Sequence, residues 1–221
     1  MARVRVVVEG PTEESFISNL LSPFLAIRGV YLTPYIIGVP GHKGGNVNYA
    51  RVKKDILLLL KQDRGAYCST MLDLYGLRPG FPGTPPPGNL AGAARAAHIE
   101  GAMYQDVVAT IPDLRPDIRF IAYLQVHEYE GLLFSDTAAF ASALRQENLV
   151  QPLAQIRAAF ETPEHINDDP NLAPSKRILA LYPSYQKVIE GTVGATAVGL
   201  DTMQHQCPHF RGWIERLSAL T

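Results

Sequence analysis

The sequence is poor in cysteine, in net charge and in long apolar runs, and each shortage excludes a class of protein. Two cysteines, Cys68 and Cys207, cannot build a disulfide framework, so we expect reduced thiols and a cytoplasmic protein. A formal net charge of −1 excludes a wholly basic nucleic-acid coat, although a local basic patch or metal-mediated phosphate contact stays open. Apolar runs such as Ile56–Leu60 are too short to cross a bilayer, and the N-terminus has no signal-peptide pattern. We therefore expect no membrane association.

The pattern that is present predicts an α/β fold. Hydrophobic residues make up 47% and charged residues 19%, which is typical of a packed globular core. Segments with strand composition alternate with amphipathic helices along the first half: 4–8, 31–39, 67–72 and 119–126. From residue 135 onward the spacing of apolar residues is helical, over 137–146, 149–160, 175–181 and 209–220. The order predicts a mostly parallel four-stranded sheet flanked by helices over 1–135 and a helical C-terminal extension over 136–221, packed on the core.

Acidic residues follow three of the predicted strands. Glu9, Asp73 and Glu128 stand at these strand ends, and Glu13 follows Glu9 in the first turn of the next helix. In open α/β sheets ligands bind beyond the carboxyl ends of the strands, and clustered carboxylates usually hold a cation. An all-oxygen set suits Mg²⁺ or Mn²⁺. The alternative is that Glu13 only complements the helix dipole and that Asp73 caps a turn.

Two further motifs carry candidate residues. In His127-Glu128-Tyr129-Glu130, Glu130 is a further candidate metal ligand, and His127 either contacts phosphate or is a structural histidine. In Pro174-Ser175-Lys176-Arg177, Ser175 is predicted to cap a helix, and Lys176 and Arg177 are cations where the helix dipole does not favour them. That placement favours phosphate binding by Lys176 and Arg177, with plain surface charge as the alternative.

Three other segments have weaker signals. The glycine-rich loop over 38–45 lacks Walker A spacing, so we interpret it as a turn, with phosphate contact as the alternative. The proline-rich loop over 77–92 is predicted to dock a partner through Leu77, Phe81 and Leu90, or else to act as a lid. His205, Cys207 and His209 resemble half of a zinc site, but a C-terminal packing segment is the favoured interpretation.

The motifs together resemble known families. A valine strand followed by Glu9-Gly10-x-Thr12-Glu13, and an Asp at a later strand end, is similar to the Toprim domain of topoisomerases, primases and overcoming-lysogenization-defect nucleases. That resemblance implies a Mg²⁺ site from a Glu and an Asp-x-Asp motif, whose second Asp is replaced here by Tyr75. The wider set resembles the bacterial family called domain of unknown function 4276, and consists of 9–14, 71–76, 127–134, 174–177 and 207–213. This family resemblance implies a Toprim-like fold, often linked to defence loci and to a partner ATPase.

Taken together, these observations predict a Mg²⁺- or Mn²⁺-dependent phosphodiesterase, a nuclease acting on DNA or RNA. Glu9, Glu13 and Lys176 are the expected catalytic residues, and the expected metal ligands are Glu9, Glu13, Asp73, Glu128 and Glu130. Lys176, Arg177 and His127 are expected to bind phosphate. The alternative is a non-catalytic partner or regulator of an ATPase. The substrate, a homo-oligomeric state and activity without a partner are left open by the sequence.

Overall fold

A computed structural model describes residues 1–39, 42–43, 47–167 and 172–220 of the chain. Of the glycine-rich loop over 38–45, residues 40–41 and 44–45 lie outside these ranges. None of the helices in the described ranges is both long enough and apolar enough to cross a bilayer.

A parallel sheet lies at the centre of the molecule. The strands are β1 (Ala2–Val8), β2 (Val30–Ile36), β3 (Gly38–Val39), β4 (His42–Lys43), β5 (Tyr67–Asp73), β6 (Phe120–Ile121) and β7 (Leu124–Gln125). The sheet has the order β2-β1-β5-β6 with every pair parallel, and β7 also pairs with β5 in parallel. β3 and β4 form a separate antiparallel pair. The predicted α/β fold with a mostly parallel sheet is therefore confirmed.

Helices cover both faces of this sheet. The α-helices are α1 (Pro11–Phe16), α2 (Ser22–Ala26), α3 (Tyr49–Gln62), α4 (Gly92–Thr110), α5 (Pro116–Arg119), α6 (Thr137–Ala143), α7 (Val150–Ala158), α8 (Pro174–Leu181), α9 (Lys187–Val198), α10 (Leu200–Gln206) and α11 (Pro208–Ser218). A π-helical stretch, Ile17–Leu21, joins α1 to α2. The 3₁₀ segments are Pro112–Leu114, Tyr129–Asp136, Glu147–Leu149 and Pro163–His165.

The core has two parts, one on each face of the sheet. Val4, Val6 and Val8 of β1 are buried in the part that includes α1 and the C-terminal helices. Val7 is buried in the other part, with apolar residues of α3 and α4. A strand segment buried on both faces has a continuous apolar sequence, as residues 6–8 of β1 do.

The predicted fourth strand is interrupted. Residues 120–121 and 124–125 both pair with β5, but the ladder is broken between them. There the Thr70 hydroxyl donates to the Tyr123 carbonyl (2.7 Å) and accepts from the Tyr123 N–H (2.9 Å). A side-chain hydroxyl therefore replaces one rung of the backbone ladder, which a hydrophobicity pattern cannot predict.

The C-terminal helix α11 is fixed to the sheet by a buried polar network. His209 Nε2 lies 2.8 Å from Glu100 Oε1, and the Glu164 carboxylate accepts the N–H groups of His209 and Phe210 at the start of α11. The Trp213 indole N–H donates to Ser69 Oγ (2.9 Å). Cys207 is buried, with its Sγ 3.5 Å from Ser135 Oγ. These contacts match the packing interpretation of this segment.

One expectation about the proline-rich loop was wrong. Phe81 is buried and packs against the Tyr49 ring with centroids 5.3 Å apart, so it is not available to a partner. Leu77 is partly buried against the same core, whereas Leu90 is exposed. The boundary between 1–135 and 136–221 stays a prediction.

Candidate active site

The first two carboxylates are brought together by a tight strand–turn–helix connection. β1 ends at Val8, Gly10 is extended, and α1 begins at Pro11. The buried Glu13 carboxylate reaches back and accepts the Gly10 N–H (2.9 Å), which satisfies a donor at the start of the helix. Glu9 and Glu13 therefore lie on the same edge of the sheet, as the sequence predicts.

Asp73 joins them from the neighbouring strand. It is the last residue of β5, and β5 pairs with β1 in parallel with Met71 opposite Val8. Its Oδ1 accepts the Tyr129 N–H at 3.1 Å, which links the end of β5 to the segment after β7. Three strand ends thus meet here, at Glu9, Asp73 and Glu128.

Gly76 leaves space for the Glu9 side chain. The Gly76 N–H closes a turn on the Asp73 carbonyl (3.1 Å). A Cβ atom at position 76 would lie 3.3 Å from Glu9 Oε2, so Glu9 extends over the turn that follows β5. A side chain at this position would press on the Glu9 carboxylate next to Asp73.

Glu128 caps a helix in addition to marking a strand end. Its two carboxylate oxygens accept the Ser175 N–H and the Ser175 hydroxyl at the start of α8. Ser175 was predicted to cap α8, but the N-cap residue is Ala173, and the negative charge at this helix start comes from Glu128. Glu128 therefore supplies, from within the chain, the anion that a helix N-terminus favours.

Lys187 is a cation that pairs with two acids of this cluster, and the sequence did not predict it. Its Nζ lies 3.2 Å from Glu130 Oε1 and 3.9 Å from Glu128 Oε2, and its side chain is 44% exposed. Glu130 is buried. Its Oε1 forms an ion pair with Lys187, but the angle of this contact lies outside hydrogen-bond geometry. Lys187 begins α9, a helix that the sequence pattern did not predict, so no local signal identified it.

Burial and mutual repulsion raise the pKa values of these acids. Burial is the largest cause for the pKa of Glu13, which rises to about 7 against hydrogen bonds that lower it, with Glu9 and Glu130 raising it further. The pKa of Asp73 is raised well above its usual value by burial and then by the charges of Glu13, Glu130, Glu9 and Glu128. Burial also raises the pKa of Glu9 and of Glu130, while Lys187 opposes both shifts. Five carboxylates therefore act on one another across this sheet edge.

The carboxylates do not form a finished metal site as their side chains stand. Within the described ranges, no three His, Cys, Asp or Glu side chains are arranged so that they could hold an ion. Glu13, Asp73 and Glu128 instead accept hydrogen bonds from Gly10, Tyr129 and Ser175, and Glu130 is ion-paired with Lys187. The expected metal ligation by Glu9, Glu13, Asp73, Glu128 and Glu130 stays a prediction.

The residues predicted to bind phosphate lie in different surroundings. The Arg177 guanidinium lies over the Phe160 ring at 5.2 Å, and its Nε donates to the Leu172 carbonyl (2.6 Å). Lys176 is exposed on α8. His127 has a left-handed backbone (φ 61°) and lines a cleft beside the carboxylates. Their roles in phosphate binding stay predictions.

Comparison with known proteins gives a family and a distant structural likeness. Residues 8–218 match the family described as Domain of unknown function (DUF4276). No curated protein matches the chain. The chain is similar to a solved structure of the C-terminal region of the Xanthomonas campestris pv. campestris OLD protein, with 15% identity and a TM-score of 0.44, covering 99% of this chain and 95% of that chain.

Proposed function

Because the chain belongs to the family described as Domain of unknown function (DUF4276), whose description names no activity, we propose a function from the site: metal-dependent hydrolysis of nucleic-acid phosphodiesters. The observation that carries this proposal is the convergence of five carboxylates on one sheet edge, where the ion pairs seen among the described residues join Lys187 to two of them. Such repulsion destabilises a fold and has no use in packing. A bound divalent cation would relieve it.

The donor set fits a hard cation. Glu9, Glu13 and Asp73 each keep a carboxylate oxygen that, among the described residues, accepts no hydrogen bond from another side chain or from the backbone of another residue. Carboxylate oxygens are the ligands of Mg²⁺ and Mn²⁺, and we propose that these three residues hold the ion after their side chains reorient. When bound, such an ion supplies Lewis-acid polarisation of a phosphoryl oxygen and lowers the pKa of a water ligand. Glu128 and Glu130 would complete the set.

The chain's own residues supply charge and a proton acceptor. In the metal-free protein, burial raises the pKa of Glu13 to about 7, and we propose that Glu13 accepts a proton on a carboxylate oxygen that does not bind the ion. Lys187 Nζ, which contacts Glu128 and Glu130, is placed to attract a phosphate once those acids ligate a cation. We propose this role for Lys187 in place of the one that the sequence analysis gave to Lys176.

A second candidate function is a non-catalytic partner of an ATPase. It is favoured by the internal contacts of the same acids, because Glu128 caps α8 and Asp73 holds Tyr129. In that case the acids of the cluster connect segments of the chain, and their raised pKa values are a consequence of the burial that these connections require. A partner ATPase would then be required for any activity.

The experiment that tests the nuclease proposal uses Asp73→Asn. Asparagine keeps the oxygen that accepts the Tyr129 N–H but removes the charge. With DNA, RNA and tRNA substrates in Mn²⁺, wild-type protein should cleave at least one, and Asp73→Asn should lose about 100-fold or more of the rate. The matched control is Asp113→Asn, since Asp113 is an exposed Asp outside the cluster.

Two outcomes would reject the nuclease proposal. One is that no substrate is cleaved with or without the candidate ATPase, and the other is that Asp73→Asn, Asp113→Asn and wild type cleave equally well. Circular dichroism of the three proteins separates a chemical effect from loss of fold. Cleavage that appears only with the ATPase would support an enzyme that depends on its partner.

A further inference from the structure

The start of α4 has the features of an anion-binding helix end without an internal anion. α4 is 19 residues long, its N-cap residue Ala91 provides no side-chain acceptor, and its first turn has no acidic residue. Arg95 lies in this same region, where the helix dipole disfavours a cation. By contrast, α8 and α11 have their starts capped by Glu128 and Glu164. Within the described ranges no acidic side chain caps the start of α4, so this helix end can accept an external negative charge.

A cleft of about 490 Å³ opens at this helix start. Its volume is within the range of small-molecule sites. It is lined by Leu74, Tyr75, Leu90, Ala91, Gly92, Ala93, Ala94, Arg95, His127, His165 and Asn167. Among the described residues, the lining includes a guanidinium, two imidazoles and an amide, and no Asp or Glu. The cleft therefore favours an anion, although the carboxylate cluster is close to it in sequence at Asp73 and Glu128.

Two side-chain atoms of the lining residues are buried and lack a hydrogen-bond partner among the described residues. Arg95 Nε is a donor without an acceptor, and Asn167 Oδ1 is an acceptor without a donor. Asn167 is only 8% exposed, so water does not freely reach its side chain. An unpaired buried polar atom is costly, and a ligand that pairs both atoms removes that cost. Such a ligand must carry an anionic acceptor for Arg95 and a hydroxyl donor for Asn167.

We propose that this cleft binds a phosphate ester that bears a free sugar hydroxyl, which is the chemistry of a terminal nucleotide. The phosphate lies at the α4 N-terminus against Arg95, and the sugar hydroxyl donates to Asn167. The inference extends the proposed nuclease function by adding a subsite for the end of a strand. Two sources share this chemistry, a free nucleotide and the phosphorylated end of a nucleic acid. Binding needs none of the cluster carboxylates.

The test measures binding to the full chain in EDTA by isothermal titration calorimetry. The probes are uridine 5′-monophosphate, a 5′-phosphorylated single-stranded oligoribonucleotide, whose first sugar keeps a free 2′-hydroxyl, and unphosphorylated uridine. We expect saturable binding of the phosphorylated probes only, weakened about tenfold or more by Arg95→Ala. Arg211→Ala is the matched control, because Arg211 is a half-exposed arginine on α11 that pairs with Glu215. It should bind within about twofold of wild type.

A second variant does not depend on tolerance of a lost arginine. Ala93 is exposed in the first turn of α4, where an Asp improves helix stability but repels a bound anion. Ala93→Asp should therefore melt at or above the wild-type temperature and lose binding, while Ala93→Asn keeps most of it. Asn167→Ala should weaken the nucleotide.

The outcomes separate this inference from the nuclease proposal. Tighter binding of the oligonucleotide assigns a strand end, and binding of uridine 5′-monophosphate alone assigns a free nucleotide. If no phosphorylated probe saturates the folded wild type, or if Ala93→Asp binds as tightly as wild type, the cleft is not a phosphate site. The binding test is done in EDTA, without metal. A failure to cleave nucleic acid in Mn²⁺ therefore rejects the nuclease proposal and does not change the binding result.

Discussion

At the scale of single residues, Lys187 balances the charge of two buried acids. Its Nζ contacts Glu130 at 3.2 Å and Glu128 at 3.9 Å, and both acids are more than nine-tenths buried. A buried carboxylate that loses its cation must either stay charged without a partner or take up a proton. Either response changes stability, so the ion pair can be tested apart from any activity.

We expect Lys187→Ala to lower the free energy of unfolding at pH 7 by about 1–3 kcal/mol, because Glu130 is left buried and unpaired. Urea denaturation of wild type and variant measures the loss. Lys54→Ala is the control, since Lys54 is an exposed lysine on α3. Adding Glu130→Gln to Lys187→Ala should recover part of the loss. Equal stability of Lys187→Ala and Lys54→Ala would contradict this account.

His209 should make stability depend on pH. Burial alone lowers the pKa of His209, but the hydrogen bond and charge of Glu100 outweigh it and raise the pKa above 6.5. A raised folded-state pKa means that protonated His209 stabilises the fold below pH 6.5, and that this contribution is lost as pH rises from 6.5 through the folded-state pKa. The thermal midpoint should therefore fall over that interval.

His209→Gln should flatten this part of the pH profile, because glutamine cannot change charge. The control is His205→Gln, which alters an exposed histidine one turn earlier and should leave the profile unchanged. Melting temperatures followed by circular dichroism at half-unit pH steps provide the measurement. A His209→Gln profile with the wild-type slope above pH 6.5 would assign the titration to other groups.

At the scale of elements, the strand ends were predictable and α9 was not. Buried valines followed by Glu9, and apolar residues followed by Asp73, identify the carboxyl ends of strands from local sequence alone. α9 has two glycines and several β-branched residues, which lower helix propensity, so its sequence does not indicate a helix. Packing against the rest of the chain stabilises it instead. Lys187, which depends on α9 for its position, could not be found from sequence for the same reason.

Gly194 is the point of closest packing on α9. A Cβ atom there would lie 2.4 Å from Phe140 Cδ2 on α6, which is far inside van der Waals contact. We expect Gly194→Ala to cost about 1–3 kcal/mol of stability despite its better helix propensity. In Gly212→Ala on α11 nothing lies within 4 Å of the new Cβ, so that control should gain about 0.5–1 kcal/mol. Urea denaturation measures both changes. If both variants are more stable than wild type, the close packing of α9 on α6 is contradicted.

At the scale of the whole molecule, the sequence predicts the class of fold but not how its two halves share a core. The order of strands and helices is local information, and it led to the parallel sheet. The C-terminal helices, however, bury Phe210 and Trp213 in the same cluster as Val4, Val6 and Val8 of β1. No pattern in either half shows which face of the sheet the other half covers. Nor could sequence place Trp213 in a stack on Tyr123 at 4.2 Å between ring centroids.

The shared core gives a prediction about truncation. A chain of residues 1–135 keeps every strand of the parallel sheet but loses the C-terminal helices that, together with α1 and α2, cover one of its faces. The valines of β1, together with Tyr123, would then face water, and Ser69 would lose the indole donor of Trp213. We therefore expect the 1–135 fragment to unfold without a cooperative thermal transition and to expose apolar surface to a hydrophobic dye.

A point variant tests the same coupling in the full chain. Trp213→Ala removes the stack on Tyr123 and the indole bond to Ser69 together, and should cost about 3–5 kcal/mol. If the two halves form one cooperative unit, tertiary signals of the sheet and of the C-terminal helices will be lost at a single urea concentration in this variant. Two separate transitions, or a 1–135 fragment that melts cooperatively by itself, would instead mean that the sheet and the helical extension are independent domains.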